Sequence, residues 1–376
     1  MIPLDEYGNE GTPKEIQIVY DTQPPKLESL SYVQDLLAEG MEWTVNGEIE
    51  RIDMRGSDQT AGIDFDASSL QLIRRADGKT LPGKLGTDEE NRIWLILDEP
   101  LRRDGSDDGR YQISVKLVDK AGNELSEDYT LLYDTQPPTV KEVSPGPNVS
   151  ISEPIETIWV KLDDAGAGVD LKGSDVKLKG PHGYLAVNKS DDGVSTIYLN
   201  FNKLRSDGTD DGTYQIEVRP LDKAGNGLTA SLIYEFYYVT QKPEVVTSNP
   251  VKYSFVNQLA VVSATLKDHS GQGIDLDTSS IKLIAPDGSM VGGRIEREEP
   301  DRISLVLENP LPRDGSADGQ YTVEVAIADK AGNTNVERIP FLYDTFIPAV
   351  EVEGLKEVYE VPPTEFVLKL NDENPN

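Results

Sequence analysis

The stretch DGSDDGRYQISVKLVDKAGN, residues 104–123, decides the fold, because the chain repeats it twice more. The other copies are DGTDDGTYQIEVRPLDKAGN at 207–226 and DGSADGQYTVEVAIADKAGN at 314–333. Successive copies begin 103 and 107 residues apart, which is the size of one small β domain. A tandem array of one module predicts a rod or a set of binding domains rather than an enzyme with a single active site.

Alternating apolar residues follow the Asp-Gly turn in each copy. In the first copy Ile113, Val115 and Leu117 are separated by more polar residues, and the third copy repeats the pattern. Period-two alternation is typical of a strand with one buried face. About seven such short strands in roughly 105 residues predict a β-sandwich. Helical periodicity is confined to YVQDLLAEGMEW, residues 32–43, a local expansion of the first module.

A tyrosine stands at the start of this strand in every copy, as Tyr111, Tyr214 and Tyr321. Each follows Asp-Gly-x, which is typical of a tyrosine corner. In that motif the ring is buried and its hydroxyl bonds the backbone a few residues upstream.

These features resemble the bacterial immunoglobulin-like repeats of large surface adhesins and other exported proteins. The residues that carry the resemblance are Gly-x-Tyr with its strand, Asp-x-Ala-Gly-Asn in the last hairpin, and Gly-Ile/Val-Asp after the second strand. The resemblance covers nearly the whole chain and implies an all-β protein of tandem immunoglobulin-like sandwiches arranged end to end as a rod. It leaves function open, because this domain serves as spacer, adhesin and enzyme accessory alike.

Tyr-Asp-Thr tags set the expected domain boundaries. They occur at 20–22, 133–135 and 343–345, with Tyr-Val-Thr as the variant at 238–240, and a proline-containing segment follows each. Proline stops strand pairing across the junction, and no Gly/Ser-rich linker occurs, so short and stiff junctions are expected. The predicted divisions are a remnant of a preceding domain at 1–22, complete domains at 23–135, 136–240 and 241–345, and part of a truncated domain at 346–376.

The composition of the chain limits the kinds of molecule that it can bind. The chain carries 36 Lys+Arg against 67 Asp+Glu, a net charge of −31, which excludes nucleic acid as a partner and disfavours anionic membranes. The charge either solvates a self-repelling surface or includes loop aspartates that bind divalent cations. Cysteine is absent, so neither a disulfide nor a thiolate metal site can form. No apolar run is long enough to span a membrane. The N-terminus lacks signal-peptide features, but a fragment cut through a domain would lack them too, and the resemblance implies an extracellular or cell-surface location.

No catalytic motif is present. The chain has no Gly-x-Ser-x-Gly elbow, His-Glu-x-x-His pair or Walker loop. Its two histidines, His182 and His269, stand in turn-like sequence, and neither recurs at the equivalent position of another module. A non-catalytic protein is therefore expected.

Aspartates at the junctions predict calcium. In an immunoglobulin sandwich, the loop after the second strand and the last hairpin turn lie at the pole where the chain enters, next to the preceding tag. Oxygen ligands from separate loops suit Ca²⁺, and the resemblance implies junctions stiffened in this way. The predicted ligands of the second domain are Asp134, Asp163, Asp164, Asp170, Asp222 and Asn226. Those of the first domain are Asp21, Asp58, Asp64, Asp119 and Asn123.

The third domain departs from this pattern. Its equivalent set is Asp268, Asp275, Asp329 and Asn333, but Val239 replaces the tag aspartate, which puts a third site in doubt. The alternative at every position is a turn residue whose carboxylate accepts backbone N–H bonds. Asp108, Asp211 and Asp318, beside the tyrosine corner, are expected to be turn residues of this kind.

Three functions fit this sequence. The preferred one is a non-catalytic stalk of a surface adhesin or filament, whose partners are neighbouring immunoglobulin-like domains of the same or identical chains. The second is an adhesive module that binds a surface glycan or protein; a glycan needs exposed aromatic rings, and of the tryptophans only Trp94 stands clearly opposite the inward set. The third is an accessory region of a secreted polymer-degrading enzyme.

Overall fold

A computed structural model describes residues 2–37, 40–269, 271–354 and 356–371. Within these ranges the protein is built from β-strands, turns and irregular segments. No helix in this described part of the chain is long and apolar enough to span a membrane.

The first sandwich consists of nine strands in two sheets. They are β1 Lys26–Leu30, β2 Glu42–Val45, β3 Arg51–Ser57, β4 Ser69–Arg74, β5 Lys79–Thr80, β6 Gly83–Thr87, β7 Arg92–Leu97, β8 Gly109–Val118 and β9 Glu124–Tyr133. One sheet has the order β1-β3-β7-β6 and the other β2-β9-β8-β4-β5. All pairs are antiparallel except β2 with β9, which run parallel.

The second sandwich repeats this arrangement. Its strands are β10 Thr139–Ser144, β11 Ser150–Ile151, β12 Thr157–Asp163, β13 Asp175–Gly180, β14 Gly183–Tyr184, β15 Asn188–Asp191, β16 Thr196–Asn200, β17 Gly212–Arg219 and β18 Leu232–Tyr238. The sheet orders are β10-β12-β16-β15 and β11-β18-β17-β13-β14, so each strand has the same neighbours as its counterpart in the first sandwich.

The third sandwich has the same topology with one strand fewer. Its strands are β19 Glu244–Asn249, β20 Phe255–Val256, β21 Val261–Lys267, β22 Ser280–Ile284, β23 Gly293–Glu298, β24 Arg302–Leu307, β25 Gly319–Ala328 and β26 Thr334–Tyr343. The sheets are β19-β21-β24-β23 and β20-β26-β25-β22. After it, β27 Ala349–Glu353 and β28 Val367–Asn371 pair with each other.

Each sandwich has its own apolar core between its two sheets. The alternating positions supply it: Ile113, Val115 and Leu117 of β8 are at most 1% exposed. The three tyrosine corners are confirmed. The hydroxyl of Tyr111 donates to the Asp107 carbonyl at 2.7 Å, and Tyr214 and Tyr321 make the same bond four residues upstream.

Two segments have a local structure that differs from their sequence pattern. Residues 32–37 and 40–43 form no helix. Turns precede β2, which is an edge strand of its sheet and pairs with β9. Residues 16–20, which resemble the last strand of a module, form no strand, because no neighbouring strand lies beside them. Residues 372–376 of the predicted truncated domain lie outside the described residues.

Candidate metal centre at the domain junctions

A threonine clamp holds each tag to the sandwich that precedes it. Thr135 donates from its backbone N and its Oγ1 to the two carboxylate oxygens of Asp108, at 3.1 and 2.9 Å. The equivalent pairs, which make both bonds with N···O and O···O distances between 2.7 and 3.0 Å, are Thr240 with Asp211 and Thr345 with Asp318. The sequence predicted that the carboxylates of these aspartates close their own turns. Instead, each carboxylate binds the threonine of the tag and fixes the start of the junction.

The residue beside this clamp is held by the following sandwich. The Oδ2 of Asp134 accepts a hydrogen bond from the backbone N of Ala167 at 2.6 Å. The carbonyl of Asp134 accepts another from Nδ2 of Asn226 at 2.8 Å. Two successive tag residues are thus bound to two successive sandwiches.

Gly166 is required for this contact. A Cβ at this position would lie 2.2 Å from Oδ2 of Asp134, so any larger residue would push the tag carboxylate away. The glycine in the loop between β12 and β13 therefore lets the tag enter the pole of the second sandwich.

Three carboxylates meet at this second junction. Ligand oxygens of Asp134, Asp164 and Asp222 all lie within 4.8 Å of one another. Asp134 is 2% exposed and Asp222 1% exposed. In the described part of the chain none of the three forms an ion pair with a lysine or arginine. The cluster therefore concentrates negative charge in a place that water reaches poorly.

The charge acts on Asp222. Burial raises the pKa of its carboxyl above the ordinary value, and the neighbouring carboxylates of Asp134 and Asp164 raise it further. Asn226 opposes the shift by donating its backbone N and its Nδ2 to the Asp222 carboxylate, both at 2.7 Å. Because the pKa of Asp222 is raised overall, the hydrogen bonds from Asn226 do not fully offset the effects of burial and of the neighbouring carboxylates.

The first junction repeats the cluster with Asp21, Asp58 and Asp119, whose ligand oxygens also lie within 4.8 Å of one another. Asn123 donates its Nδ2 to the Asp21 carbonyl at 3.3 Å and to the Asp119 carboxylate at 2.8 Å. Burial acts to raise the pKa of Asp119, but the side-chain and backbone donors of Asn123, together with the backbone N–H groups of Ala121 and Gly122, outweigh it and hold that pKa below its ordinary value. The two junctions thus share geometry and differ in charge balance.

Three other predicted ligands lie outside the clusters. Asp163 is mainly exposed, and its carboxylate is 3.6 Å from Nζ of Lys141. Asp170 accepts backbone N–H bonds from the two residues at 172 and 173, and Asp64 from those at 66 and 67. The carboxylates of Asp64 and Asp170 therefore each close a local turn, in the loop between β3 and β4 and in the loop between β12 and β13.

The third junction keeps the asparagine but not the cluster. Asn333 donates Nδ2 to the carbonyl of Val239 and to the carboxylate of Asp329, both at 3.0 Å. Val239 is 3% exposed and brings no carboxylate. The carboxylate of Asp268 accepts a hydrogen bond from the backbone N of Gly273 at 2.8 Å, and that of Asp275 accepts one from the backbone N of Asp277 at 3.1 Å. Within the described residues, three-carboxylate clusters occur at the first and second junctions.

Residues 24–135 and 307–345 match the family model described as the bacterial Ig-like domain. No curated protein sequence matches the chain.

Three solved structures are similar to parts of the chain. PcoC, a methionine-rich copper resistance protein from Escherichia coli, is 17% identical, with 28% of this chain and 100% of that chain covered and a TM-score of 0.24. Immunoglobulin domains 1–5 of sidekick-1 are 12% identical, with 86% and 59% covered and a TM-score of 0.35. A tetra-tandem repeat from the extending region of a large adhesion protein is 14% identical, with 80% and 71% covered and a TM-score of 0.28.

The second sandwich, which lies between the two matched segments, repeats the sheet order, tyrosine corner and threonine clamp of the first. The chain is therefore a tandem array of immunoglobulin-like β-sandwiches, of which residues 24–135 and 307–345 match the bacterial Ig-like domain.

Proposed function

We propose that this array is a non-catalytic structural stalk of an extracellular or cell-surface repeat protein, such as an adhesin or a filament. One observation carries the proposal: adjacent tag residues are bound to different sandwiches, Thr135 to Asp108 behind it and Asp134 to Asn226 ahead of it. A junction held from both sides keeps successive domains in line, which is what a rod requires. The partners we propose are neighbouring domains of the same or identical chains.

Calcium is the second part of the proposal. The donors at the first two junctions are carboxylate oxygens from three separate segments, and Ca²⁺ takes six to eight hard oxygen ligands from such segments. Asp134, Asp164 and Asp222 fit an ion of this kind, because buried like charges without a cationic partner are costly. When bound, Ca²⁺ would supply the missing positive charge. Asn226 would keep the hairpin carboxylate oriented and tie the tag carbonyl beside it.

The residues also fit the simpler turn role, because most of these carboxylates accept local backbone N–H groups as well. What favours an ion is that the tag carboxylate comes from outside the sandwich and still converges on two others. A purely local turn does not need this convergence.

Spin-label distances across the second junction test both parts. The chain has no cysteine, so Glu99→Cys in the first sandwich and Lys203→Cys in the second give one defined pair at exposed sites. We expect a single distance distribution that narrows when calcium replaces chelator, and small-angle scattering of an elongated particle. A compact particle would overturn the stalk. An elongated particle whose distance distribution ignores calcium would overturn only the calcium part.

The second function, an adhesive module that binds a glycan or protein, is favoured by one observation: Trp159 and Tyr198 of the second sandwich are paired across β12 and β16.

A further inference from the structure

We infer that the outer face of the sheet β10-β12-β16-β15 in the second sandwich binds an uncharged saccharide chain. Trp159 and Tyr198 face each other across β12 and β16, with alternating residues on either side buried in the core. Directly paired residues in antiparallel strands have Cβ atoms about 5 Å apart on the same face. The two half-buried rings therefore form one aromatic platform that faces outward.

Neutral polar side chains lie beside the rings and in the adjacent row on one side, while the row on the other side contains Lys161 and Glu142. Ser190 pairs with Tyr198 on one side, and Ser144 pairs with Trp159 on the other. In the next row Asn188, Asn200 and Thr157 lie side by side on their three strands. These seven positions on four strands include no charged side chain, in a chain of which 27% of the residues are charged.

The polar groups are already oriented. Thr157 donates its hydroxyl to Oδ1 of Asn200 at 2.9 Å, and Asn200 donates Nδ2 to Oγ of Ser190 at 3.3 Å. This arrangement fixes the amide and leaves the Ser190 hydroxyl proton and the Thr157 oxygen free for a ligand. An ordered pair of hydroxyls beside aromatic rings matches a pyranose, which has an apolar C–H face and a rim of hydroxyl groups.

Charge selects the class of saccharide. The net charge of −31 repels acidic glycans, and the seven positions hold no cation to bind a carboxylate; Lys161, the one lysine of β12, lies in the adjacent row opposite Glu142. The occupant is therefore a neutral glycan chain.

The other two sandwiches lack this platform and serve as internal controls. In the first, Trp94 pairs with Asp53 and Gly86, and the Arg51 guanidinium lies 4.6 Å from the ring centroid. A Cβ on Gly86 would be 2.3 Å from Nε1 of Trp94, so the ring rests on the backbone there. In the third sandwich, the equivalent pair is Ser263 with Ser304.

The test is titration of the full chain with neutral hexaoses of glucose, mannose and N-acetylglucosamine, and with polygalacturonate as the acidic probe, followed by calorimetry and tryptophan fluorescence. We expect saturable binding of at least one neutral hexaose, unchanged by chelator and by Trp94→Ala. Trp159→Ala and Tyr198→Ala should each weaken binding at least about tenfold. Asn200→Ala should weaken it less, because the aromatic platform remains.

If Trp159→Ala unfolds the second sandwich, Tyr198→Thr keeps a strand-forming residue and still removes a ring. Absence of saturable binding to all three neutral probes, or equal binding by Tyr198→Thr, would overturn the inference. Stronger binding of polygalacturonate would overturn the neutral class. The platform uses none of the junction carboxylates, and either result leaves the stalk proposal standing.

Discussion

Asp108 holds Thr135 through both oxygens of its carboxylate, one to the backbone N and one to the hydroxyl. The two residues are 27 positions apart in sequence, and Thr135 is only 9% exposed. The bond joins the loop before β8 to the chain that leaves β9, so the last strand of the sandwich cannot peel away without breaking it. The same pair recurs in the other two sandwiches, which makes the clamp a property of the module.

The clamp should contribute measurable stability. Thr135→Val removes the hydroxyl donor and leaves the Asp108 carboxylate with one bond, so we expect a loss of about 2 kcal/mol in the unfolding free energy of the first sandwich. Thr135→Ser keeps both donors and should cost much less. Hydrogen exchange of the full chain would read the change locally, as faster exchange in β8 and β9. Equal exchange in the valine and serine variants would show that the clamp has no energetic role.

The tyrosines at the ends of the last strands differ in a way that predicts opposite mutational effects. The hydroxyls of Tyr133 and Tyr343 donate to the carbonyls of Leu101 and Leu311, both at 3.2 Å. The hydroxyl of Tyr238 is buried and has no partner within the described residues. Removing a bonded hydroxyl leaves a carbonyl unsatisfied, whereas removing an unpaired one relieves a desolvation cost.

We therefore expect Tyr133→Phe and Tyr343→Phe to destabilise their sandwiches by about 1 kcal/mol each, and Tyr238→Phe to be neutral or stabilising. Tyr214→Phe is the control within the second sandwich, because its hydroxyl donates to the Asp210 carbonyl at 2.8 Å. Urea unfolding of the four variants gives the comparison. A loss for Tyr238→Phe as large as that for Tyr214→Phe would contradict the assignment of an unpaired hydroxyl.

Local patterns in the sequence predict the fold of each sandwich better than they predict the contacts at the junctions. The tyrosine corner is a contact between residues four apart, so Tyr111 and its turn could be recognised from one short segment. The clamp between Asp108 and Thr135 could not, because a turn aspartate and a clamp aspartate look alike until both ends of the sandwich are placed. Recurrence of Asp-Gly before the strand together with Thr in the tag was the available signal.

The different roles of neighbouring acidic residues can also be told apart only in the three-dimensional structure. Asp163 ends strand β12 and points to solvent beside Lys141, while Asp164 turns inward to the cluster. Side chains along a strand point to alternate faces of the sheet, so a one-residue error in where β12 ends exchanges the positions of Asp163 and Asp164. Trp159 was missed for the same reason, because its outward position depends on the register of β12 with β16.

Acid should act oppositely on the two carboxylate clusters. The folded pKa of Asp222 is raised, so its ionised form destabilises the fold at neutral pH and that cost is relieved as pH falls through the folded pKa. The folded pKa of Asp119 is lowered, so its contribution is present above the unfolded pKa of about 3.9 and is lost as pH falls through the folded pKa. In chelator, carboxyl carbon shifts should therefore titrate above the ordinary aspartate range for Asp222 and below it for Asp119. The reverse order would show that the charge balance at the two junctions is misassigned.

Calcium binding should follow the tag aspartate. Asp134→Val copies the third junction into the second, and Val239→Asp copies the second into the third, where Asp268 and Asp329 are already present. Neither change touches the Asn226 or Asn333 bond to the tag, because that bond uses the backbone carbonyl of the tag residue. Asp134→Val also removes the bond from the backbone N of Ala167 to Oδ2 of Asp134, so the bond that both substitutions preserve is the one from the asparagine to the tag carbonyl.

Calorimetric titration with calcium should find two ions on the wild-type chain, one for each three-carboxylate cluster, one on Asp134→Val and three on Val239→Asp. Binding at a hundredfold excess over Kd stabilises the folded state by about 2.7 kcal/mol, so the melting of the second sandwich should lose its calcium response in Asp134→Val. Asp163→Ala removes an exposed carboxylate outside the cluster and should leave the stoichiometry unchanged. If Asp163→Ala and Asp134→Val behave alike, the ions are held by the general negative charge of the surface and not by the converged carboxylates.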